Sequence, residues 1–200
     1  MSKLLIAIIA SIIVLVLAGV STYNGLVGKQ QGVDAAWAQV ANQYQRRADL
    51  VPNLVKTVQG SADFEKSTLE AVTNARASVG KMTLDASKAP DTAEKLEEFQ
   101  KAQGQFGSAL QRLLVVSERY PDLKASAGFR DLQAQLEGTE NRIAVERGRF
   151  NTVVQDYNTG IRKVPAVFFA GMLGFQSKPY FQAEAGAEKS PEVKFDFGHK

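Results

Sequence analysis

The 200-residue sequence contains no cysteine and a single histidine, His199, next to the C-terminus. Without cysteine the chain can form neither a disulfide nor a thiolate nucleophile, and a lipid-modified cysteine anchor is excluded. Without a histidine in its body, the chain can assemble there neither a histidine-based acid-base pair nor a zinc site with ordinary ligands. A hydrolase with a Ser-Lys pair stays open, but no motif favours it.

Three further patterns are missing. No Gly-rich phosphate-binding loop is present, since Gly104 and Gly107 lie inside a helical pattern where small residues permit close helix approach. The Glu-x-x-His repeat of carboxylate metal sites in bundles is absent. Lys and Arg number 24 against 21 Asp and Glu, and the two signs are interleaved rather than gathered into a basic stripe. We therefore expect no catalytic activity, no metal, no cofactor and no nucleic-acid partner.

A long apolar run occupies residues 4–20, and no charge follows it before Lys29. About 17 to 25 apolar residues in a helix cross a hydrocarbon core, so residues 1–27 are predicted to form a transmembrane anchor. Leu4, Ile8 and Leu15 are then expected to contact lipid. The alternative is a cleavable secretory signal, which Lys3 and the small residues after the run would suit, but the run is longer than an ordinary signal core of about 7 to 15 residues.

Charges beside the run specify the orientation weakly. Lys3 precedes the run, whereas Lys29 is set against Asp34 beyond it. This balance leans slightly toward a short inner N-terminus and an external body.

After the anchor, apolar residues recur at steps of three and four and indicate long amphipathic helices. Breaks are expected at residues 60–66, 80–90 and 120–122, and Asp91 with Glu94 resembles a capping box that starts a helix. Pro52 lies inside the first pattern, where we expect a kink or a locally re-satisfied helix. No alternating pattern favours strands. Residues 28–163 are therefore predicted to form an all-α, long antiparallel up-and-down helical bundle.

The C-terminal segment, residues 164–181, is largely apolar up to residue 175 but too short to span a membrane. Two interpretations stay open. The segment packs on the bundle as a tail, or it makes a second membrane contact through Phe168, Phe169 and Phe175, with Lys163 and Lys178 at the headgroups. Residues 182–200 have the composition of a disordered tail.

A polar cluster interrupts the first helical pattern and is the candidate site. It consists of Arg46, Arg47, Asp49 and Asn53. Charges in an apolar seam need partners if they are buried, and Glu140 and Arg142 on the last helix could supply them. The favoured interpretation is an interhelical polar layer or interface, ahead of a ligand or partner pocket and of catalysis.

Several segments together resemble the LemA family of bacterial membrane proteins: residues 46–55 (RRADLVPNLV), residues 136–144 (LEGTENRIA), Tyr157-Asn158 and Gly174-Phe175. The resemblance covers nearly the whole chain. It implies a single N-terminal membrane helix followed by a helical bundle in the bacterial cell envelope. Together with the charge balance beside the run, this predicts a single-pass protein of the bacterial inner membrane with a slight lean toward a periplasmic body. The family has no settled molecular activity, so the resemblance implies none. Its members are associated with membrane organisation, including magnetosome-forming membranes.

The combined pattern favours a membrane-anchored homo-oligomeric scaffold that organises or shapes the bacterial membrane. Ala7, Ser11 and Ala18 share one face of the anchor and would let such helices approach each other in membrane lipid. The alternative is an adaptor that presents its bundle to another envelope protein, such as a protease.

Overall fold

The computed structural model describes residues 3–60, 64–81 and 86–182, which contain five α-helices and no strand. The helices are α1 (Lys3–Gln59), α2 (Lys66–Lys81), α3 (Ala93–Ser117), α4 (Pro121–Ala125) and α5 (Ala127–Arg162). A 3₁₀ turn follows at Ala166–Phe168. The predicted all-α architecture is confirmed. The tail predicted for residues 182–200 lies outside the described residues, apart from Gln182.

The helices pack mainly in two pairs, α1 with α5 and α2 with α3. Helix α1 leads out of the apolar run and α5 returns toward it, because Leu26 and Ile161 pack in the same cluster. Their approach is close at Gly160, where an added Cβ would lie 3.0 Å from Lys29 Cδ. The long helices therefore alternate in direction, as in an up-and-down bundle.

Buried positions along the helices follow a heptad seam, in which steps of three and four residues keep one face toward a partner. In α1 the seam is Leu26, Val33, Trp37, Val40, Tyr44, Arg47, Val51, Leu54 and Val58. In α3 it is Leu96, Phe99, Gln103, Phe106, Leu110 and Leu113.

The seams meet in two hydrophobic clusters. The proximal core, nearer the apolar run, is rich in aromatic rings: Trp37, Tyr44, Phe99, Phe150, Tyr157, Phe175 and Phe181. The distal core is mostly aliphatic and includes Val51, Leu54, Val58, Val72, Leu110, Leu113, Leu123 and Leu136, with Phe106 and Phe129.

Pro52 lies inside α1, which continues through it. Proline has no N–H, so the carbonyl of Ala48, four residues earlier, loses its helical partner. Arg76 of α2 donates to this carbonyl from Nε at 2.8 Å. The locally re-satisfied helix is confirmed. Arg76 of α2 supplies the hydrogen bond that Pro52 cannot donate.

Two of the helices, α3 and α5, start with a hydroxyl cap. Thr92, not Asp91, caps α3, because its side chain accepts from the Lys95 N–H at 3.4 Å. The predicted capping box at Asp91 is therefore wrong by one residue. Ser126 caps α5 by accepting from the Phe129 N–H at 3.3 Å. The breaks predicted at residues 60–66 and 120–122 are present.

Candidate functional site

Arg47 lies at the junction of the two cores and is 3 % exposed. Its Nη1 donates to Glu140 Oε2 on α5 at 2.6 Å. Its Nη2 donates to the side-chain oxygen of Gln103 on α3 at 2.7 Å and to the Gln103 carbonyl at 3.2 Å. The guanidinium therefore joins three helices, and we call Arg47, Gln103 and Glu140 the arginine node.

Two aromatic rings flank the guanidinium. Its Cζ atom lies 5.2 Å from the ring centroid of Tyr44, in the proximal core, and 5.2 Å from that of Phe106, in the distal core. Both contacts attract a cation. The Glu140 side chain is 60 % exposed, so water screens the ion pair. The geometry is that of an interhelical layer that restricts the register of α1, α3 and α5.

Other polar residues of the predicted cluster lie outside the node. Arg46, Asp49 and Asn53 are exposed on α1, and Arg142 is exposed on α5. The seam of α1 turns position 47 inward and, at about 100° per residue, turns positions 46, 49 and 53 outward. Their assignment to a buried polar layer is therefore corrected, while the exposed surface keeps them available to a partner.

Gln103 was missed at the level of sequence. A signal for its burial was present in the sequence. The apolar seam of α3 lacks an apolar residue at the heptad position between Phe99 and Phe106, and Gln103 occupies that position. Arg47 fills the matching gap between Tyr44 and Val51 in α1. Two polar residues at seam positions of packed helices indicate a contact between them.

Arg46 and Arg142 come together at a separate, shallow cleft on the surface. The cleft has a volume of about 270 Å³. Its lining consists of Arg46, Ala134, Gln135, Gly138, Thr139 and Arg142. Two arginines beside a glycine suit an anionic group, such as an acidic side chain of a partner.

Residues 164–174 form a compact apolar segment after α5, which we call the collar. Its turns are closed by backbone hydrogen bonds, including Val167 N–H to Lys163 O at 2.9 Å and Phe175 N–H to Ala170 O at 2.9 Å. Gly174 ends it with φ +82°, a conformation that favours glycine. Ala166 and Ala170 face the proximal core. The opposite face is exposed.

The exposed face of the collar is strongly apolar. Met172 is 81 % exposed and Phe168 is 66 % exposed. A cleft of about 450 Å³ lies between the collar and α1. Its lining is apolar: Val16, Gly19, Val20, Tyr23, Phe169, Met172 and Leu173. The segment packs on its own chain, as the first interpretation expects, and it exposes apolar side chains beside the apolar run. Its contact with the membrane stays a prediction.

Two residues expected at the membrane are buried instead. Phe175 is 7 % exposed, and its ring meets the edge of Tyr23 at a centroid distance of 5.7 Å. Lys178 is buried too, and its ammonium group pairs with Asp91. We correct both assignments: Phe175 belongs to the proximal core, and Lys178 is not at the headgroups.

Charge and burial shift two pKa values near Lys178. The hydrogen bond from Lys178, and then its charge, lower the pKa of Asp91 against an opposing effect of burial. Burial raises the pKa of Tyr157, and the nearby carboxylates of Asp34 and Asp91 raise it further. Both pKa shifts result from burial and from neighbouring charges within the folded bundle.

Residues 176–182 form an extended segment across the bundle, which we call the strap. Asn158 exchanges two hydrogen bonds with the backbone of Lys178, both 2.9 Å long. Asn151 does the same with the backbone of Phe181, at 2.8 and 2.9 Å. The spacing matches, because seven residues of helix and three extended residues both rise about 10 Å.

The Phe181 ring completes the proximal core. It stacks on Trp37 at a centroid distance of 6.1 Å and meets Phe150 edge-on at 5.4 Å. The Gln182 carbonyl accepts hydrogen bonds from Gln100 and Arg147. The sequence analysis predicted none of these contacts. One signal was present: Asn158 lies next to Tyr157 on the inner face of α5, where its amide is expected to be buried and hydrogen-bonded.

Within residues 3–60, 64–81 and 86–182 no group of three or more His, Asp or Glu side chains could hold a metal ion. The site is thus a set of structural contacts on a helical bundle beside an apolar helix. These features define a membrane-associated helical-bundle protein.

Comparison with known proteins places the chain in one family. A profile of the LemA family matches residues 36–195, and the chain belongs to that family. The resemblance read from the sequence motifs is confirmed.

The chain is also similar to proteins that are named magnetosome proteins. The chain is 26 % identical over 206 residues to "Magnetosome protein MamQ" of Magnetospirillum gryphiswaldense, covering 93 % of this chain and 74 % of that protein. It is also 26 % identical over 204 residues to "Magnetosome protein MamQ 1" and "MamQ 2" of Paramagnetospirillum magneticum, covering 92 % of this chain and 74 % of each.

Proposed function

We propose that this protein is a single-pass membrane scaffold that self-associates and organises the bacterial membrane without catalysis. One observation carries the proposal: a large apolar surface that residues 3–60, 64–81 and 86–182 leave uncovered. An 18-residue window of α1 has a mean hydropathy of 3.0 and is 0 % buried. The exposed collar extends this surface beside the helix.

Retention of the apolar segment, as opposed to its cleavage, is supported by contacts. Helix α1 runs without a break from Lys3 to Gln59, so the segment and the first helix of the bundle are one element. Tyr23 packs against Phe175, and the collar lies beside residues 16–23. Removal of the segment would expose the face of the collar that lies against α1.

Lateral association is supported by the arrangement of faces on α1. At about 100° per residue, Ala7, Ser11 and Ala18 point about 150° away from the residues that line the collar cleft. The collar therefore leaves the small-residue face open. Small residues let membrane helices approach closely, and tethering to one membrane raises the effective concentration of the copies.

The test is the mass of full-length protein extracted in native lipid particles, measured by mass photometry and imaged by electron microscopy. We expect closed assemblies of several copies. Ser11→Leu should reduce the copy number, because it places bulk on the small-residue face. Ala10→Leu is the matched control, since it adds a leucine about 100° around the helix from Ser11.

Uniform monomers, both in native lipid particles and in mild detergent, would contradict the scaffold. They would favour an adaptor that presents its bundle to an envelope protein such as a protease. The cleft between Arg46 and Arg142 favours an acidic surface on such a partner. An adaptor should stay small when purified alone and gain mass only when its partner is added.

A further inference from the structure

We propose that the cleft between the collar and α1 binds an acyl chain of an anionic phospholipid, whose phosphate is held by Arg162 and Lys163. This inference rests on the membrane anchoring proposed above, but not on self-association. It assigns a lipid-binding site to residues 16–23 and 162–174.

The position of the cleft within the membrane favours a hydrocarbon chain as its occupant. A hydrocarbon core about 30 Å thick takes about 20 helical residues, so a span that starts near Leu4 ends near Tyr23. Residues 16–23 then cover the last 10 Å or so of the leaflet on the side of the bundle. The cleft opens beside them, and its lining contains only apolar side chains, Gly19 and the ring of Tyr23. Water in such a site would lack hydrogen-bond partners, whereas acyl methylenes fill it.

The charge beside the cleft selects an anionic lipid. Arg162 is the last residue of α5, Lys163 is its C-cap, and the collar starts directly after them. Both side chains are exposed, and neither forms an ion pair within the part of the chain that the structure describes. Long basic side chains at this level extend to the headgroups, where they attract phosphate.

Neighbouring cations are already neutralised. Lys29 pairs with Asp156, and Lys178 pairs with Asp91. Among the described residues, Arg162 and Lys163 are thus the basic pair without an ion-pair partner at the start of the collar. The chain thus combines an apolar cleft with two exposed cations directly before the collar, which have no ion-pair partner among the described residues. This combination matches the two parts of an anionic phospholipid.

The experiment uses full-length protein in nanodiscs of phosphatidylcholine with phosphatidylglycerol, released for native mass spectrometry. The mass gives both the number of copies and the number of retained lipids. We expect phosphatidylglycerol to be retained in preference to phosphatidylcholine, and excess inorganic phosphate to leave it in place, because the acyl chain contributes to binding.

Two variants separate the parts of the site. Gly19→Leu fills the cleft, and the structure accommodates it because an added Cβ at Gly19 meets no atom within 4 Å. Arg162→Gln with Lys163→Gln removes the phosphate contacts and should lower the preference for phosphatidylglycerol about tenfold or more. Ala10→Leu is the control for added bulk on α1, and circular dichroism verifies the fold of each variant.

Equal retention of the two lipids, displacement by inorganic phosphate, or unchanged lipid retention in Gly19→Leu would overturn the site. A fall in copy number without a change in lipid count in Gly19→Leu would also overturn it, since a second copy would then occupy the cleft. Loss of lipid with the copy number unchanged supports the site and leaves the scaffold proposal as it stands. Monomers that still retain phosphatidylglycerol would refute the scaffold alone.

Discussion

The proximal core packs aromatic rings around Trp37 and is closed by the strap, whereas the distal core packs aliphatic side chains supplied by helices. Aromatic rings bury large areas and prefer edge-on contacts, so the proximal core depends on the placement of a few rings. Aliphatic seams tolerate small shifts better. The contrast suggests that the proximal core links the bundle to the collar, while the distal core is a self-contained helical assembly.

The arginine node separates the two cores and contacts a ring from each. A polar group at a seam position disfavours sliding of one helix along another, because a shift by one heptad would bury the guanidinium without its partners. The two cores are therefore held in one register. The following experiments test whether the cores respond differently.

Trp37→Ala should produce the largest effect. It removes a side chain that is 0 % exposed and contacts Phe99, Phe150 and Phe181, so we expect a loss of about 3–5 kcal/mol in the free energy of unfolding. Urea unfolding measures this loss. Chymotrypsin should also cut after Phe181, because the strap loses the Trp37 ring on which Phe181 stacks.

Leu113→Ala is the counterpart in the distal core, and its side chain is likewise 0 % exposed. We expect a loss of about 2–5 kcal/mol without chymotrypsin cleavage after Phe181. Cleavage at the same rate in both variants would show that the cores are not distinct. Val115→Ala, at an exposed position, should change stability by no more than about 0.5 kcal/mol.

Arg47→Ala should rank next, at about 2–3 kcal/mol, because it leaves a cavity between two rings and removes the donor to Gln103. Thermal and urea unfolding give the value. Its neighbour Arg46→Ala is the matched control and should stay within about 0.5 kcal/mol, since that side chain is exposed. Similar losses for the two substitutions would refute the node.

Asn158→Ala should cost about 2 kcal/mol, at about 1 kcal/mol for each of the two hydrogen bonds to the strap. Hydrogen exchange of the Lys178 amide, which donates to Asn158, should accelerate, while amides of the distal core stay protected. Asn141→Ala, exposed on the same helix, serves as the control. Uniform acceleration throughout the bundle would argue against a separate strap.

Acid should have the smallest effect, through Asp91. The pKa of Asp91 is lowered in the folded protein, so its contribution to stability is present above its unfolded pKa of about 4 and is lost as the pH falls through the folded pKa. The carboxyl group is half-exposed, which limits the size of the effect.

Unfolding free energies measured from neutral pH downward should therefore differ between the wild type and Asp91→Asn at pH 7, and converge in acid. Lys88 and Lys95 also lower the pKa of Asp91, so the convergence includes their charges. A difference that persists below the folded pKa would assign the effect to packing instead.

Some elements of the fold were predictable from neighbouring residues alone. The seam of α1, the break at Pro121 and the re-satisfied helix at Pro52 follow from periodicity and proline chemistry, which act over one or two turns. The start of α3 was misplaced by one residue because Asp91 and Thr92 are both good caps, and the pairing of Asp91 with Lys178 decided between them.

The sequence by itself determined the apolar run, the helical bundle and the family, because each depends on the order and spacing of nearby residues. Tertiary structure alone decided which partners Arg47 meets in the node, and that Phe175 and Lys178 turn inward. Those outcomes depend on partners far along the chain, such as Glu140, which lies 93 residues from Arg47. A single polar residue carries no periodic signal for such a partner, so only the packing of the helices selects it.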